Sequence, residues 1–260
     1  MSTSRIIFSI FNDNVDQNHK STNDYKLSQF RKYKPQLIEC KEKYAKKFGA
    51  EFILHETPTT DYNKIQFEKI LLLEEYAKTY DQILYLDFDI VPLHTAASIF
   101  DEIDDKTLAM HPLDRWLDNM EIREYLEMGW FDNQNVFCKT AAKKSMLLDE
   151  DITSNDLLYN TGVVYGGSEI IKQLKFGERL DELHERLDDA REWSLYPDEI
   201  TKNFYYNNEV YISYIVEEQN LPHTNLPLSW NYILDGYMPE PSAAAHFLHH
   251  VNKEFDKSFG

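Results

Sequence analysis

Across roughly the first third of the 260-residue chain, two kinds of apolar pattern alternate, and this constrains the fold more than any other feature. "RIIFSIF" (Arg5 to Phe11) is a nearly unbroken apolar run closed by the turn signal "NDN", Asn12 to Asn14. "YKLSQFRKYKPQLIECKEKYAKKFG" then spaces its apolar residues as a helix does and stops at Gly49, a residue type suited to the position after a helix end. "AEFILH" predicts a second strand, "NKIQFEKILLLEEYAKTY" a second helix, and "QILYLDFDIVP" a third strand. Strand and helix in this order predict βαβ units, and therefore an α/β fold built on a parallel sheet.

The third run carries an anomaly. Asp87 and Asp89 interrupt "ILYLDFDIVP", which otherwise has the composition of a buried strand. An unpaired carboxylate is costly to bury, so these two must reach a strand end, be paired, or hold a cation. Ligands of open parallel sheets bind beyond the carboxyl ends of the strands, where this pair is expected. In a strand, residues i and i+2 point to one side, so both carboxylates can share a hard divalent ion. Mg²⁺ or Mn²⁺ suits oxygen ligands and often bridges a carboxylate to substrate phosphates. The plainer alternative is a solvated turn, or an Asp that caps the next helix.

Further along, "SIFDEI" and "LDNMEIREYLEMG" predict short helices and "TLAMH" a strand. "NTGVVYGG" (Asn160 to Gly167) reads as a turn feeding a strand. "SEIIKQLKFGERLDELHERLDDARE" reads as one long charged helix weakened at Gly177, and "NNEVYISYIVEEQ" as another helix. The net charge of −18 argues against nucleic acid or an anionic membrane as the main partner. The two cysteines, Cys40 and Cys138, form no CxxC motif, which removes zinc-ribbon and thioredoxin readings. No apolar stretch is long enough to span a bilayer and the N-terminal run is too short for a signal peptide, so the expectation is a soluble, cytoplasmic protein with no integral membrane contact.

Four segments, in order, resemble one family. "YDQILYLDFDIVP" resembles the DxD segment of glycosyltransferases of the GT-A fold, which use nucleotide-diphosphate sugars. "YNTGVVYG" resembles the N-[ST/A]-G-V segment of the glycogenin/galactosyltransferase-like family of retaining enzymes, glycosyltransferase family 8. "NLPLSWNY" is similar to its LP-x-x-[WY]-N segment, and "AAAHFLHHVNK" to its HFxGxxKPW segment. The resemblance implies a single GT-A (Rossmann-like) domain with a mostly parallel central sheet. Its nucleotide-binding part would cover about residues 1–110 and its acceptor-binding part about 111–260. The implied activity is metal-dependent transfer of a sugar, a hexosyltransferase reaction, from a UDP-sugar to a hydroxyl of a carbohydrate or glycoconjugate acceptor.

The resemblance also implies roles. Asp87, Asp89 and His246 would hold Mn²⁺ (or Mg²⁺), with His249 as the rival third ligand. Asn12, Asp13 and Asn14 would meet the uracil and ribose. Lys69 would lie near the donor phosphates, and Asn160 and Gly162 would shape the floor of the sugar site. Three features depart from the family pattern. His249 stands where the family has Gly, "KPW" is missing, and Lys253 falls one position late for the diphosphate-binding lysine. Asn208-Glu209 matches the family's "DQ" imperfectly. Glu209, or Glu199, could instead serve as the base of an inverting enzyme. Trp116, Trp130 and Phe131 could stack on sugar faces but read more simply as core aromatics, and Asp156 is a further candidate for sugar contact. A nucleotidyltransferase is disfavoured because "FSIFNDNVDQNHK" lacks the expected glycine-rich loop, while a catalytically silent nucleotide-sugar-binding protein stays open.

Overall fold

The computed structural model describes residues 3–12, 24–57, 62–113, 136–148, 150–234 and 244–259. Asp13 and Asn14, Trp116, Trp130, Phe131 and the helix expected over "LDNMEIREYLEMG" lie outside them.

The alternation in the sequence becomes strand β1 (Arg5–Phe11), helix α1 (Asp24–Lys47), β2 (Glu51–Glu56), α2 (Tyr62–Tyr76) and β3 (Gln82–Leu86). There follow β4 (Ile90–Pro92), α3 (Ile99–Glu102), β5 (Leu108–Pro112), α4 (Val136–Leu148) and β6 (Tyr159–Gly167). Helices α5 (Ser168–Gln173), α6 (Phe176–Trp193), α7 (Asp198–Thr201) and α8 (Asn208–Glu218) precede β7 (His223–Asn225). A 3₁₀ turn at Leu228–Trp230, β8 (Tyr232–Ile233), β9 (Phe247–His249) and α9 (Asp256–Phe259) close the order.

Six strands form the main sheet in the order β2-β1-β3-β6-β5-β7. The pairs β1–β2, β1–β3 and β5–β7 are parallel, and β6 alone runs against both its neighbours. This is the expected α/β fold, with a mostly parallel sheet flanked by helices. Alternate residues of each central strand feed opposite layers. Ile6, Phe8, Ile83, Tyr85 and Val164 pack with residues of α2, α4, α6 and α8. Ile7, Leu84, Leu86, Val163 and Tyr165 pack with α1, α3, Trp230 and Phe247. Burial on both faces explains why β1 and β3 read as continuous apolar runs rather than alternating ones.

Three expectations change. The single third strand is two: β3 stays in the main sheet, whereas β4 joins a small second sheet of order β4-β9-β8. The break falls at Asp87–Asp89, where the Ile90 N–H bonds back to the Asp87 carbonyl at 3.0 Å in a tight turn. "NTGVVYGG" is strand throughout, not a turn leading into one. The long charged helix is interrupted at Lys175, whose φ of 47° is left-handed, two residues before the glycine expected to weaken it. Lys175 caps the start of the second helix, and Gly177 lies inside that helix with its N–H bonded to Glu74.

Leu84 is fully buried in the central strand, so Leu84→Ala should lower the unfolding free energy by about 3 kcal/mol. A urea-denaturation midpoint that falls in proportion, with an unchanged slope, is the expected result.

Candidate functional site

The main sheet splits from the small one at the carboxyl end of β3, and three stretches far apart in sequence meet there. Asp87 is the first residue past β3, and its N–H donates to the Gly162 carbonyl at 2.7 Å. Because β6 runs antiparallel to β3, with Leu86 opposite Val163, the first residues of β6 lie beside Asp87. β9 pairs antiparallel with β4 so that His249 faces Ile90, and the His250 N–H donates to the Asp89 carbonyl. Strand pairing alone thus sets Asp87, Asp89 and His249 together. Ligand atoms of the three residues lie within 4.8 Å of one another, and among the described residues they are the only such group of His, Cys, Asp or Glu.

Lys41 holds this turn from behind. Its side chain is fully buried, and its ammonium donates to the carbonyls of Phe88 at 2.9 Å, Ile90 at 2.7 Å and Leu37 at 3.3 Å. An ammonium has three donors, and all three are engaged. Burial pushes the Lys41 pKa below its ordinary value, and the charges of Asp89 and Asp87 partly restore it.

The front of the turn is also compensated by charge. Lys69 pairs with Asp87 Oδ1 at 3.4 Å and donates to the Thr161 carbonyl at 3.1 Å, and the Tyr85 hydroxyl donates to the same Asp87 oxygen at 2.5 Å. Lys253 forms an ion pair with Asp89 Oδ2, and His249 Nε2 stands 3.4 Å from that oxygen. Burial works to raise the Asp89 carboxyl, but the Lys253 ammonium beside it holds it well below the usual carboxylate range. Two carboxylates and an imidazole nitrogen that converge in this way have the donor chemistry of a divalent-cation site.

The third place in the group belongs to His249, and His246 is elsewhere. The His246 Nδ1 accepts from the Ala97 N–H at 3.3 Å, and its ring lies 4.1 Å from that of Trp230. The reason is geometric. His246 precedes β9 by one residue and lies roughly 10 Å along the chain from His249. The family motif marks the His at the start of the segment, whereas the pairing of β9 with β4 brings its last residue to the acids.

Gly162 has a definite steric role. A Cβ there would sit 2.7 Å from His249 Cε1 and 2.9 Å from Asn160 Oδ1. Only glycine leaves room for the imidazole beside β6. Asn160 does not face open space either. Its amide nitrogen donates to Glu209 Oε1 at 3.0 Å, while its oxygen accepts from the Gly162 N–H at 2.9 Å and from Asn231 Nδ2 at 2.8 Å. Glu209 lies in the first turn of α8, beneath Asn160, with Lys139 of α4 on its other oxygen at 2.6 Å. Burial would raise this carboxyl, but Lys139, with a lesser contribution from Lys69, brings it below the ordinary value. Asn12 directly follows β1, whose carboxyl end lies next to that of β3. Glu199 is exposed on α7, and Asp156 is exposed and paired with Lys144.

Two residues had no role assigned from sequence. Lys41 did leave a signal: it falls four residues after Leu37 and three before Tyr44, on the apolar stripe of α1, and it is fully buried there. Asn231 left one as well: it is the Asn of "LSWN", a polar residue within an apolar segment, and it is fully buried.

No protein-family model matches the chain. No curated protein matches it. Among solved structures, a glycosyltransferase involved in glycosylation of the major capsid of PBCV-1 aligns over 95% of this chain and 93% of its own, at 15% identity and a TM-score of 0.47. The galactosyltransferase LgtC, in complex with donor and acceptor sugar analogues, aligns over 95% of this chain and 86% of its own, at 12% identity and a TM-score of 0.47. Mouse xyloside xylosyltransferase 1 aligns over 95% and 97%, at 12% identity and a TM-score of 0.47.

Lys41→Met should leave the Phe88 and Ile90 carbonyls without the ammonium that donates to them and cost about 3 kcal/mol, measured by chemical denaturation. A second prediction concerns acid. Glu209 titrates in the folded protein below its ordinary value of 4.5, so its stabilising contribution is complete above about pH 4.5 and is lost as pH falls through the lower folded value. Glu209→Gln should therefore be less stable than the parent at pH 7, with a smaller difference near pH 3, as read from denaturation midpoints.

Proposed function

We propose that the chain is a metal-dependent glycosyltransferase of the GT-A type, transferring a sugar from a nucleotide-diphosphate sugar, most simply a UDP-sugar, to an acceptor hydroxyl. The observation that carries this reading is the convergence of Asp87, Asp89 and His249 at the carboxyl end of a parallel strand, with the ammonium groups of Lys69 and Lys253 against the two acids. Ligands of such sheets bind at that edge. Cations beside clustered acids give the rim a capacity for phosphate that two isolated carboxylates lack.

Asp87, Asp89 and the Nε2 of His249 would hold Mn²⁺ or Mg²⁺, and the imidazole favours Mn²⁺ of the two. When bound, such an ion supplies Lewis-acid stabilisation of the charge that grows on a leaving diphosphate. The chain's own groups do the rest. Asn12, which directly follows β1, would meet the nucleoside, and Asp13 is proposed to share that role. Lys253 reaches the site from the far side of Asp89 and can turn its ammonium to a phosphate oxygen. Lys69, bonded to both Asp87 and the Thr161 carbonyl, keeps the first acid aimed.

Retention of anomeric configuration fits this site better than inversion. Inversion needs a free carboxylate base on the acceptor hydroxyl. Glu209 has both oxygens occupied, one by Lys139 and one by Asn160, and is buried beneath the latter. Among the described residues, no helix is long and apolar enough to cross a membrane.

The test is nucleotide release from a panel of UDP-, GDP- and dTDP-sugars, with Mn²⁺ and then with EDTA. Mn²⁺-dependent release from one donor is expected, and Asp87→Ala and Asp89→Ala should each lower it by at least a hundredfold while leaving the far-ultraviolet dichroism unchanged. Full activity in either variant overturns the assignment. A thermal shift by UDP with Mn²⁺ but no turnover of any donor would favour a silent nucleotide-sugar-binding protein.

A further inference from the structure

A chain of hydrogen bonds links the buried Glu209 to His249, and each bond in it has only one possible direction. A glutamate anion has no donor. Its Oε2 accepts from Lys139 at 2.6 Å, so the contact at Oε1, 3.0 Å from Asn160, must be made by the amide nitrogen of Asn160. The Asn160 oxygen is thereby turned the other way. It also accepts from the Gly162 backbone N–H at 2.9 Å, a donor whose direction is fixed by β6, so two independent groups impose the same orientation. That oxygen lies 2.8 Å from Asn231, which must present its amide nitrogen there and its own oxygen on the opposite side. The Asn231 oxygen meets His249 Nδ1 at 3.0 Å. An amide oxygen can only accept, so Nδ1 must carry a proton.

We propose that Glu209, Asn160 and Asn231 act as positioning residues that lock neutral His249 in its Nδ1–H form and so direct the Nε2 lone pair at Asp87 and Asp89. The inference rests on the metal-site reading above for its purpose, though not for its geometry. The proton position of a histidine is set by the hydrogen bond its other nitrogen makes, and the Nε2–H form predominates for the free amino acid in water. Left to itself, the ring would most often cover with a proton the nitrogen that faces the acids. The relay reverses that preference before any cation arrives.

The relay is well placed to hold a direction. Asn231 is fully buried, Asn160 is partly buried, and Glu209 is buried with a lysine partner that keeps it ionised. No water is needed to complete any link, because each contact is direct and between 2.6 and 3.0 Å. Gly162 completes the arrangement sterically, since a side chain there would displace both Asn160 Oδ1 and the His249 ring. Groups that orient a metal-binding histidine from behind typically contribute 10–100-fold in affinity when removed.

The experiment reads the proton directly. In protein labelled with ¹⁵N-histidine and held in EDTA at about pH 9, where an ordinary imidazole is neutral, two-bond ¹H–¹⁵N correlations distinguish the two forms of His249, assigned by its loss in His249→Gln. The parent should show the Nδ1–H pattern. Asn231→Leu removes the acceptor and should revert His249 to the Nε2–H form. Glu209→Gln, two residues distant, allows the amides to flip and should give a mixture. The second variant keeps the test decisive if the first does not fold. An Nε2–H pattern in the parent, or an unchanged Nδ1–H pattern in both variants, overturns the proposal. Binding of Mn²⁺, followed by the electron-paramagnetic-resonance signal of the free ion, should weaken 10–100-fold in Asn231→Leu. If the parent shows the Nδ1–H form yet binds no Mn²⁺ with or without UDP, the metal-site reading falls and the relay stands.

Discussion

The structure depends on the compensation of two acids brought into the interior at a chain break. Asp89 is buried and Asp87 half-buried, and either charge alone would be costly there. Around them the fold assembles Lys69 from α2, Lys253 from the segment after β9, His249 from β9 and the Tyr85 hydroxyl. Lys41 of α1 binds the backbone of the same turn from the opposite side. Five separate elements thus converge on three residues. A purely structural turn could have used Asn or Ser at far lower cost. Two carboxylates with cationic groups set against both make sense where the charge itself is used.

Topology makes this convergence possible. In an all-parallel sheet the strand beside β3 would offer its own carboxyl end to Asp87. Here β6 is reversed and offers its first residues instead, placing Asn160, Thr161 and Gly162 at the site. The split of the third apolar run into β3 and β4 is equally consequential. It lets β4 leave the main sheet and pair with β9, and that pairing carries His249 to the acids. The second sheet is small, but without it the third donor would have no route to the site.

The acids also show how neighbours distinguish similar side chains, since Asp89 and Glu209 are both buried. Asp89 is paired with the Lys253 ammonium, with the His249 ring beside the same oxygen. Glu209 is gripped by a lysine and an amide below the surface, which suits a group that orients others and does not suit one that must take up a proton. The same carboxylate group therefore meets different surroundings in the two places, and only the neighbours distinguish them.

Much of this was legible in the sequence. The β-α-β-α-β order follows from two periodicities that any fold must respect, and the bounds of β1, α1 and β2 agree with the apolar pattern to within about a residue. Asp87 and Asp89 announced themselves as charges within an apolar run. What the sequence could not decide is which distant groups face them. His246 and His249 are equivalent in one dimension, and the register of β9 against β4 selects the second. The helical period places Lys41 on the apolar stripe of α1, but only packing shows that its ammonium serves the carbonyls of the Asp87–Asp89 turn. Gly162 signalled a turn in sequence and proved to be a gap for a ring. Local patterning determines which elements form, because it acts between near neighbours. The partners of a buried charge are determined by packing and strand register, which act between residues that the chain itself holds far apart.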